Sequence, residues 1–414
     1  MLAKLALKSL LDRKGSVVLS LMAMTVSIFV LLGVEHVRNQ TKENFSNTVS
    51  GVDLIVGART GSLNLLLYSV FRIGSPTNNI QWESYKNITN SDQVKWAIPI
   101  SLGDSHKGYR VLGTTQDYFK HFNYGKQHNL MFSKGREFNQ LFDLVLGADV
   151  AQQLDYKLGD KVALAHGIAA TSFSMHDDRP FTVGGILAAT GTPVDQTLHV
   201  SLQGIEAIHI DWQQGVKTHH NAISQKAFEQ LKLQPKSITA FMLGLKSKMA
   251  TFRFQRTINE YPQEPLVAIL PGVALSELWQ MMSVLENTLL LVSALVFVAA
   301  CLGVSAMLLA SIRERRREIH LLRVIGAPPY FLFLLIQFEA LLITLLSCVF
   351  GAGILACCLL FLQDYLVSHV GLHIEMNFFT EQSLYLMAAM ISASIIVAVI
   401  PSFSGYRQAS AIKS

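Results

Sequence analysis

Charge is scarce in this chain of 414 residues: 15% are Asp, Glu, Lys or Arg, while half are hydrophobic and mean hydropathy is +0.35. Soluble domains carry nearer a quarter charged residues, so the composition excludes an ordinary soluble protein. Charge is missing altogether from Val17–Val34, Thr288–Ser311, Ala340–Leu362 and Ser383–Ile400. Each approaches the roughly 20 apolar residues a helix needs to cross the hydrocarbon core. A helix also keeps its backbone hydrogen bonds internal, as lipid demands. Cysteine is scarce too, and Cys301, Cys348, Cys357 and Cys358 all lie inside these runs. The segment of about 250 residues between the first two runs therefore holds no disulfide, and it is long enough to bury its own core.

Chemistry is missing as well. No Gly-x4-Gly-Lys-Ser/Thr loop occurs, which excludes P-loop binding of ATP by this chain. HExxH, CxxC and GxSxG are absent, and no nucleophile stands with a base in sequence. Neither enzyme activity nor a cofactor is expected. No repeat of 20–50 residues is present.

What is there is a layout of one span, a large insert and three more spans. Lys4, Lys8, Arg13 and Lys14 precede the first span, and Arg313, Arg315, Arg316, Arg317 and Arg323 follow the second. Arg407 and Lys413 follow the fourth, while Gln363–Gln382 holds Asp364, Glu375 and Glu381 and no Lys or Arg. The positive-inside rule then puts both termini and the Arg-rich loop in the cytoplasm and the insert outside. The net charge of +5 is a topology signal, and nucleic acid is not an expected partner. The first apolar run is too long for a signal peptide and VEHVRNQ offers no small-x-small site, so it reads as an uncleaved anchor.

The expected fold is an α-helical membrane protein with four transmembrane helices (1 + 3) and a large α+β extracytoplasmic domain between the first and second. Residues 1–16 read as a cytoplasmic amphipathic helix, with Leu2, Leu5, Ala6 and Ser9 on one face. The spans are 17–34, 286–311, 331–362 and 383–402; the domain is 35–285, in two lobes. A cytoplasmic loop occupies 312–330, an external loop 363–382 and a tail 403–414. Within the domain, Val52–Val56, Phe181–Leu187 and Thr197–Leu202 read as strands, being β-branched and bounded by Gly or Pro. Phe142–Leu164 reads strand, helix, Gly turn, strand; Gln203–Trp212 and Ser224–Leu233 read as helices. Ser276–Asn287 has helical spacing and runs unbroken into the second span, predicting a stalk.

The cytoplasmic loop, Ile312–Pro329, carries Arg313, Arg316, His320 and Arg323 on one side of a helix and Ile319, Leu321, Leu322 and Ile325 on the other. Gly326 ends it and Pro328–Pro329 stops it. Charge alone would fit a solvated loop that only fixes orientation, but the apolar side argues for a protein partner. RRREIHLLRVIGA (Arg315–Ala327) resembles the signature loop of the FtsX-like, MacB-type permeases of ATP-binding-cassette transporters. The arginine cluster Arg315–Arg317, Glu318, Ile319, Leu322, Arg323 and Gly326–Ala327 match; His320 stands where the family has glycine or a small residue. Leu5–Ile28, Leu146–Val162, Phe181–Leu187, Glu339 and Pro401–Lys413 are similar to the family elsewhere. Asp53–Ile80 resembles an uncharacterised-permease branch more than the macrolide or lipoprotein exporters. The resemblance implies a permease in the bacterial inner membrane, acting by mechanotransmission with a separate cytoplasmic ATPase and a second permease, either another copy of this chain or a related permease. Arg313, Arg316, Glu318, Ile319, Leu322, Arg323 and Gly326 are then the ATPase-coupling residues. Membrane lipid and an extracytoplasmic protein or lipoprotein are further expected partners.

Two other readings stay open on the sequence. One is a membrane-anchored sensor or scaffold that regulates an external partner without transport. The other is zinc uptake or sensing, since ten of 13 histidines lie between positions 36 and 220, with Asp177 and Asp178 beside His176. His166, His199, His209, His219 and His220 show no helical i, i+4 pair or tight ligand box, so they read as surface or hydrogen-bonded residues and no metal site is assigned. Glu339, an acid near lipid depth, reads as structural.

Overall fold

The structure, a computed structural model, describes residues 2–48, 50–125, 127–167, 179–209, 212–213, 216–217, 233–314, 321, 324, 326–370 and 380–411. The chain forms two compact units, one drawn from Met1–Thr41, Met282–Asp364 and Ile374–Ser414, the other from Lys42–Met281 with Tyr365–His373.

The first unit is helical. A short helix α1 (Leu2–Leu11) precedes most of four long ones, α2 (Lys14–Asn47), α3 (Pro271–Glu314), α4 (Pro329–Val370) and α5 (Glu381–Ala411), of which the end of α2, the start of α3 and the end of α4 fall in the second unit. Each long helix contains a stretch long and apolar enough to cross a membrane. Side chains such as Leu19, Val292, Val349 and Ile396 lie exposed along them, the surface that lipid would cover. Where helices meet, small residues let them approach. A Cβ on Gly351 of α4 would stand 3.0 Å from Ile28 Cγ2 and 3.3 Å from the Phe29 nitrogen of α2. Thr344 of α4 and Ser394 of α5 join their hydroxyls at 2.6 Å, both buried. Among the described side chains of α1, Ala6, Ser9 and Leu10 are buried, while Leu7 and Leu11 are exposed.

The second unit is an α+β domain whose core is one mixed sheet. Its eleven strands are β1 (Leu54–Ala58), β2 (Val94–His106), β3 (Tyr109–Thr114), β4 (Phe132–Gly135), β5 (Asp143–Leu146), β6 (Lys161–Val162), β7 (Ala165–His166), β8 (Phe181–Leu187), β9 (Thr197–Ser201), β10 (Ala240–Leu245) and β11 (Leu266–Ile269). The order is β11-β1-β10-β2-β3-β9-β5-β8-β4, with β7 on β2 and β6 on β8. The long β2 links the two halves: Val94–Ile100 pairs with β10 and Ser101–His106 with β3. The central strands LIVGA and AFMLGL are buried at every position, which marks strands covered on both faces. One face packs Ile55, Leu65, Ile98, Tyr118 and Met242; the other packs Leu54, Val56, Phe241, Phe254 and Ile258.

The strands expected over Val52–Val56, Phe181–Leu187 and Thr197–Leu202 are found as β1, β8 and β9, within two residues at each end. The stretch Phe142–Leu164 forms β5, a helix Ala148–Gln153, a turn at Gly159 with φ +91° and β6. Gln203–Trp212 is shifted, its helix running Leu202–His209. The helix expected over Ser224–Leu233 lies outside the described residues. Ser276–Asn287 falls inside α3, which starts at Pro271, a proline position where the missing N–H costs no hydrogen bond.

Candidate functional site

The ends of α3 and α4 flank the arginine-rich loop. On the inner side, Ile312 is 4% exposed and packs with Val304, Leu308, Leu332, Ile336, Ala340 and Leu10. This leaves Arg313 and Glu314, in the last turn of α3, on the exposed side. At the far end of the loop Gly326 has φ +98°, a left-handed conformation that a side chain would resist. α4 then begins at Pro329, and Phe331 N donates to the Pro328 carbonyl at 3.0 Å. Leu321 and Val324 are exposed at 60% and 72%, apolar groups turned outward. Of the residues expected to couple, the structure thus describes Arg313 and Gly326. Arg316, Glu318, Ile319, Leu322 and Arg323 lie outside the described residues, as does His320.

Two contacts that the sequence did not disclose tie α1 and the turn after it to this end. Arg13 Nη2 donates to the Ser311 carbonyl at 3.0 Å, a cation meeting the carbonyl end of α3. The Ser9 hydroxyl donates to the Glu339 carboxylate, with both residues buried. A buried carboxylate needs such donors, because an unsatisfied one costs several kcal/mol, roughly. Glu339, expected from the sequence to be structural, is therefore a docking point for the N-terminal helix. These residues lie about 300 positions or more apart in the chain, so nothing local could have paired them.

In the sheet domain the described histidines are taken up singly. His106 uses both ring nitrogens, on the Ala163 carbonyl at 2.7 Å and the Tyr156 hydroxyl at 2.9 Å. His121 stacks on Trp96, and His209 lies 3.4 Å from Asp104. His199 is fully buried beside Tyr118, and burial with Arg72 nearby pushes its pKa down to about 3. Among the described residues no three His, Cys, Asp or Glu side chains come together. His176, Asp177, Asp178, His219 and His220, and the side chain of His166, lie outside them. Asp195 accepts from Thr190 N, Thr190 Oγ1 and Gly191 N, yet burial lifts its pKa to about 6. A polar cavity of about 750 Å3 is lined by Gln116, Asp117, Lys120, Asn139, Gln140 and Gln203 among others.

Comparison with known families decides what the helical end belongs to. The family model of the MacB-like periplasmic core domain matches residues 17–239, over half of the chain. That of the FtsX-like permease C-terminal matches residues 290–410, which include the arginine-rich loop. The chain belongs to the MacB- and FtsX-like permeases. As such a permease it is the membrane component of an ABC transporter and a protein of the bacterial inner membrane. Members of this family work with an ABC ATPase and typically as dimers. No curated protein sequence matches the permease. Among solved structures, the periplasmic region of MacB from Actinobacillus actinomycetemcomitans aligns at 9% identity with a TM-score of 0.34, over 56% of this chain and 94% of its own. The extracellular domain of the noncanonic ABC-type transporter YknZ from Gram-positive bacteria aligns at 12% identity with a TM-score of 0.30, over 52% of this permease and 98% of its own chain.

Proposed function

We propose that this permease is a mechanotransmitter: a separate cytoplasmic ATPase docks on the loop between α3 and α4, and its ATP-driven closure moves the sheet domain through α3. The observation that carries this reading is the length and continuity of α3. It runs 44 residues from Pro271 to Glu314 without interruption, about 66 Å at 1.5 Å per residue. One residue, Leu270, separates it from β11. In this reading a displacement at the arginine end is carried along the helix toward the sheet.

In this reading Arg313, Arg316 and Arg323 meet the ATPase with their charges, while Ile319 and Leu322 fill an apolar recess. Glu318 steadies the arginine cluster, and Gly326 supplies the turn into α4. Arg13, in the turn after α1, clamps the loop's near end, and α1 holds its far helix through Ser9 and Glu339. Both termini and the loop are cytoplasmic, the sheet domain is outside, and a second permease copy completes the unit. Substrate is handled by the sheet domain outside the bilayer, since four spans with few polar side chains offer little for an aqueous path.

The test is ATPase stimulation in reconstituted membranes. Arg316→Ala, Ile319→Ala and Arg323→Ala together are expected to abolish permease-dependent stimulation while the sheet domain stays folded. Unchanged stimulation in that triple variant refutes the assignment. Co-purification from native membranes without any ATPase, and with an external protein instead, would favour the scaffold reading.

A further inference from the structure

The helix Thr251–Asn259 and the turn before it carry a feature that packing of the sheet does not explain. The helix buries Thr251, Phe254 and Ile258, spaced to form one face, into the cluster that holds Leu54, Val56, Leu266 and Ala268. That face is satisfied. Two large apolar side chains nevertheless point the other way: Met249, in the turn Lys248–Ala250, is 94% exposed and Phe252 is 70% exposed. Lone exposed apolar residues are ordinary. Here they are three positions apart, and Lys246, Lys248, Arg253 and Arg256, all exposed, stand around them in sequence. The one acid of the stretch, Glu260, is engaged by Arg256 at 2.8 Å. Apolar tips among cations are the composition of a surface that enters an anionic lipid interface.

Strand register says which end of the sheet bears this tip. β10 pairs antiparallel with β1, Leu243 opposite Leu54, and Leu245 N donates to Asp53 Oδ2 at 2.7 Å. β11 pairs with β1 on the other side, Ile269 opposite Ile55. The tip leaves β10 just after Leu245. It therefore lies at the sheet end where the chain arrives from α2 and departs into α3, the two helices apolar enough to cross a bilayer on either side of this domain.

We propose that Met249 and Phe252 insert into the lipid leaflet on the domain's own side, with Lys246, Lys248 and Arg253 on anionic headgroups. The tip anchors the sheet domain to the membrane surface at a point separate from the spans. This stands or falls independently of whether an ATPase binds the loop.

The test uses the full chain with Cys301, Cys348, Cys357 and Cys358 replaced by Ala, carrying one bimane-labelled cysteine at Met249→Cys or Phe252→Cys. Met131→Cys, 68% exposed before β4 at the opposite end of the strands, is the reference. Each is placed in nanodiscs of phosphatidylcholine, with or without about 30% phosphatidylglycerol, containing doxyl-labelled lipid. Lipid-borne quenching at 249 and 252 is expected to be roughly twofold or more, to grow with phosphatidylglycerol and to be absent at 131. Lys246→Glu, Lys248→Glu and Arg253→Glu together should remove that growth, and its persistence refutes the headgroup contact. Quenching at 249 and 252 no greater than at 131 overturns the proposal. So does shielding of these probes from aqueous iodide without lipid quenching, which would mean that protein covers the tip.

Discussion

His199 and Asp195 should titrate the stability of the sheet domain in opposite directions, and replacing either one exposes the other. His199 sits between Tyr118 and Phe119 with no exposed surface, and its pKa of about 3 lies far below the unfolded value near 6.5. The folded state thus binds fewer protons, so stability is full above about pH 6.5 and falls as pH drops toward 3. From pH 7 to 4.5 the loss is two units of protonation work, about 3 kcal/mol. Asp195 behaves in reverse. Its folded pKa of about 6 lies above the unfolded value near 3.8, so its ionised form costs stability at neutral pH and that cost is relieved between pH 6 and 3.8. Over the same interval it returns about 2 kcal/mol. The pair nearly cancels in the native chain. Relative to the native chain, His199→Phe should gain about 3 kcal/mol on going from pH 7 to 4.5, and Asp195→Asn should lose about 2. All four tryptophans, Trp82, Trp96, Trp212 and Trp279, fall within Lys42–Met281. Urea unfolding of the detergent-solubilised chain followed by tryptophan fluorescence therefore reports this unit. If the His199→Phe curve keeps the native pH dependence, buried neutral histidine is not what sets it.

Other expectations follow from close approaches and turns. Gly244→Leu would drive a side chain into the Trp96 indole, which already fills that space, and should lower domain stability by about 1–3 kcal/mol in the same urea assay. Gly351→Leu would push α2 from α4 at Ile28 and Phe29, and a drop in the detergent melting temperature without a change in tryptophan unfolding would show it. Gly326→Val forces a β-branched residue to φ +98° and should reduce permease-dependent ATP turnover while leaving the urea transition where it was. Glu339→Leu removes one contact of the Ser9 hydroxyl, so protection of the 2–11 amides in hydrogen exchange should fall; unaltered protection would mean α1 is held by other contacts.

The parts of this fold that were legible in sequence are those governed by one strong local requirement. Lipid requires long uncharged runs, so the four apolar helices could be read directly, and FTVGGIL read as a strand because it is β-branched and bounded by turn residues. β2 went unread although it is the longest strand, because Pro99 and Gly103 punctuate it. In the sheet, Pro99 comes before Ser101, where pairing with β3 begins, and the Thr114 hydroxyl donates to its carbonyl at 2.8 Å. Register slips between Leu102 and Ser105, which accommodates the glycine. At the helical end, Gly326 and Pro329 behave as turn chemistry dictates, and both could be named in advance. Ser9 and Arg13 could not. One looked like a small residue on an amphipathic face and the other like one more topology charge. Their roles come from the helix ends that packing brings beside them.

The length of a helix and its bearing are linked. Each residue added to a helix turns everything beyond it by about 100° and lengthens it by about 1.5 Å. On α3, Val304, Leu308 and Ile312 pack with Leu332 and Ile336 of α4, so inserting one residue after Leu308 would carry Ile312, and Arg313 with it, to a different compass bearing relative to α4. Inserting seven, close to two full turns, would restore the bearing and change only the reach. Within the helical unit, the arginine end of α3 is keyed in phase to α4 as a shaft is to a gear.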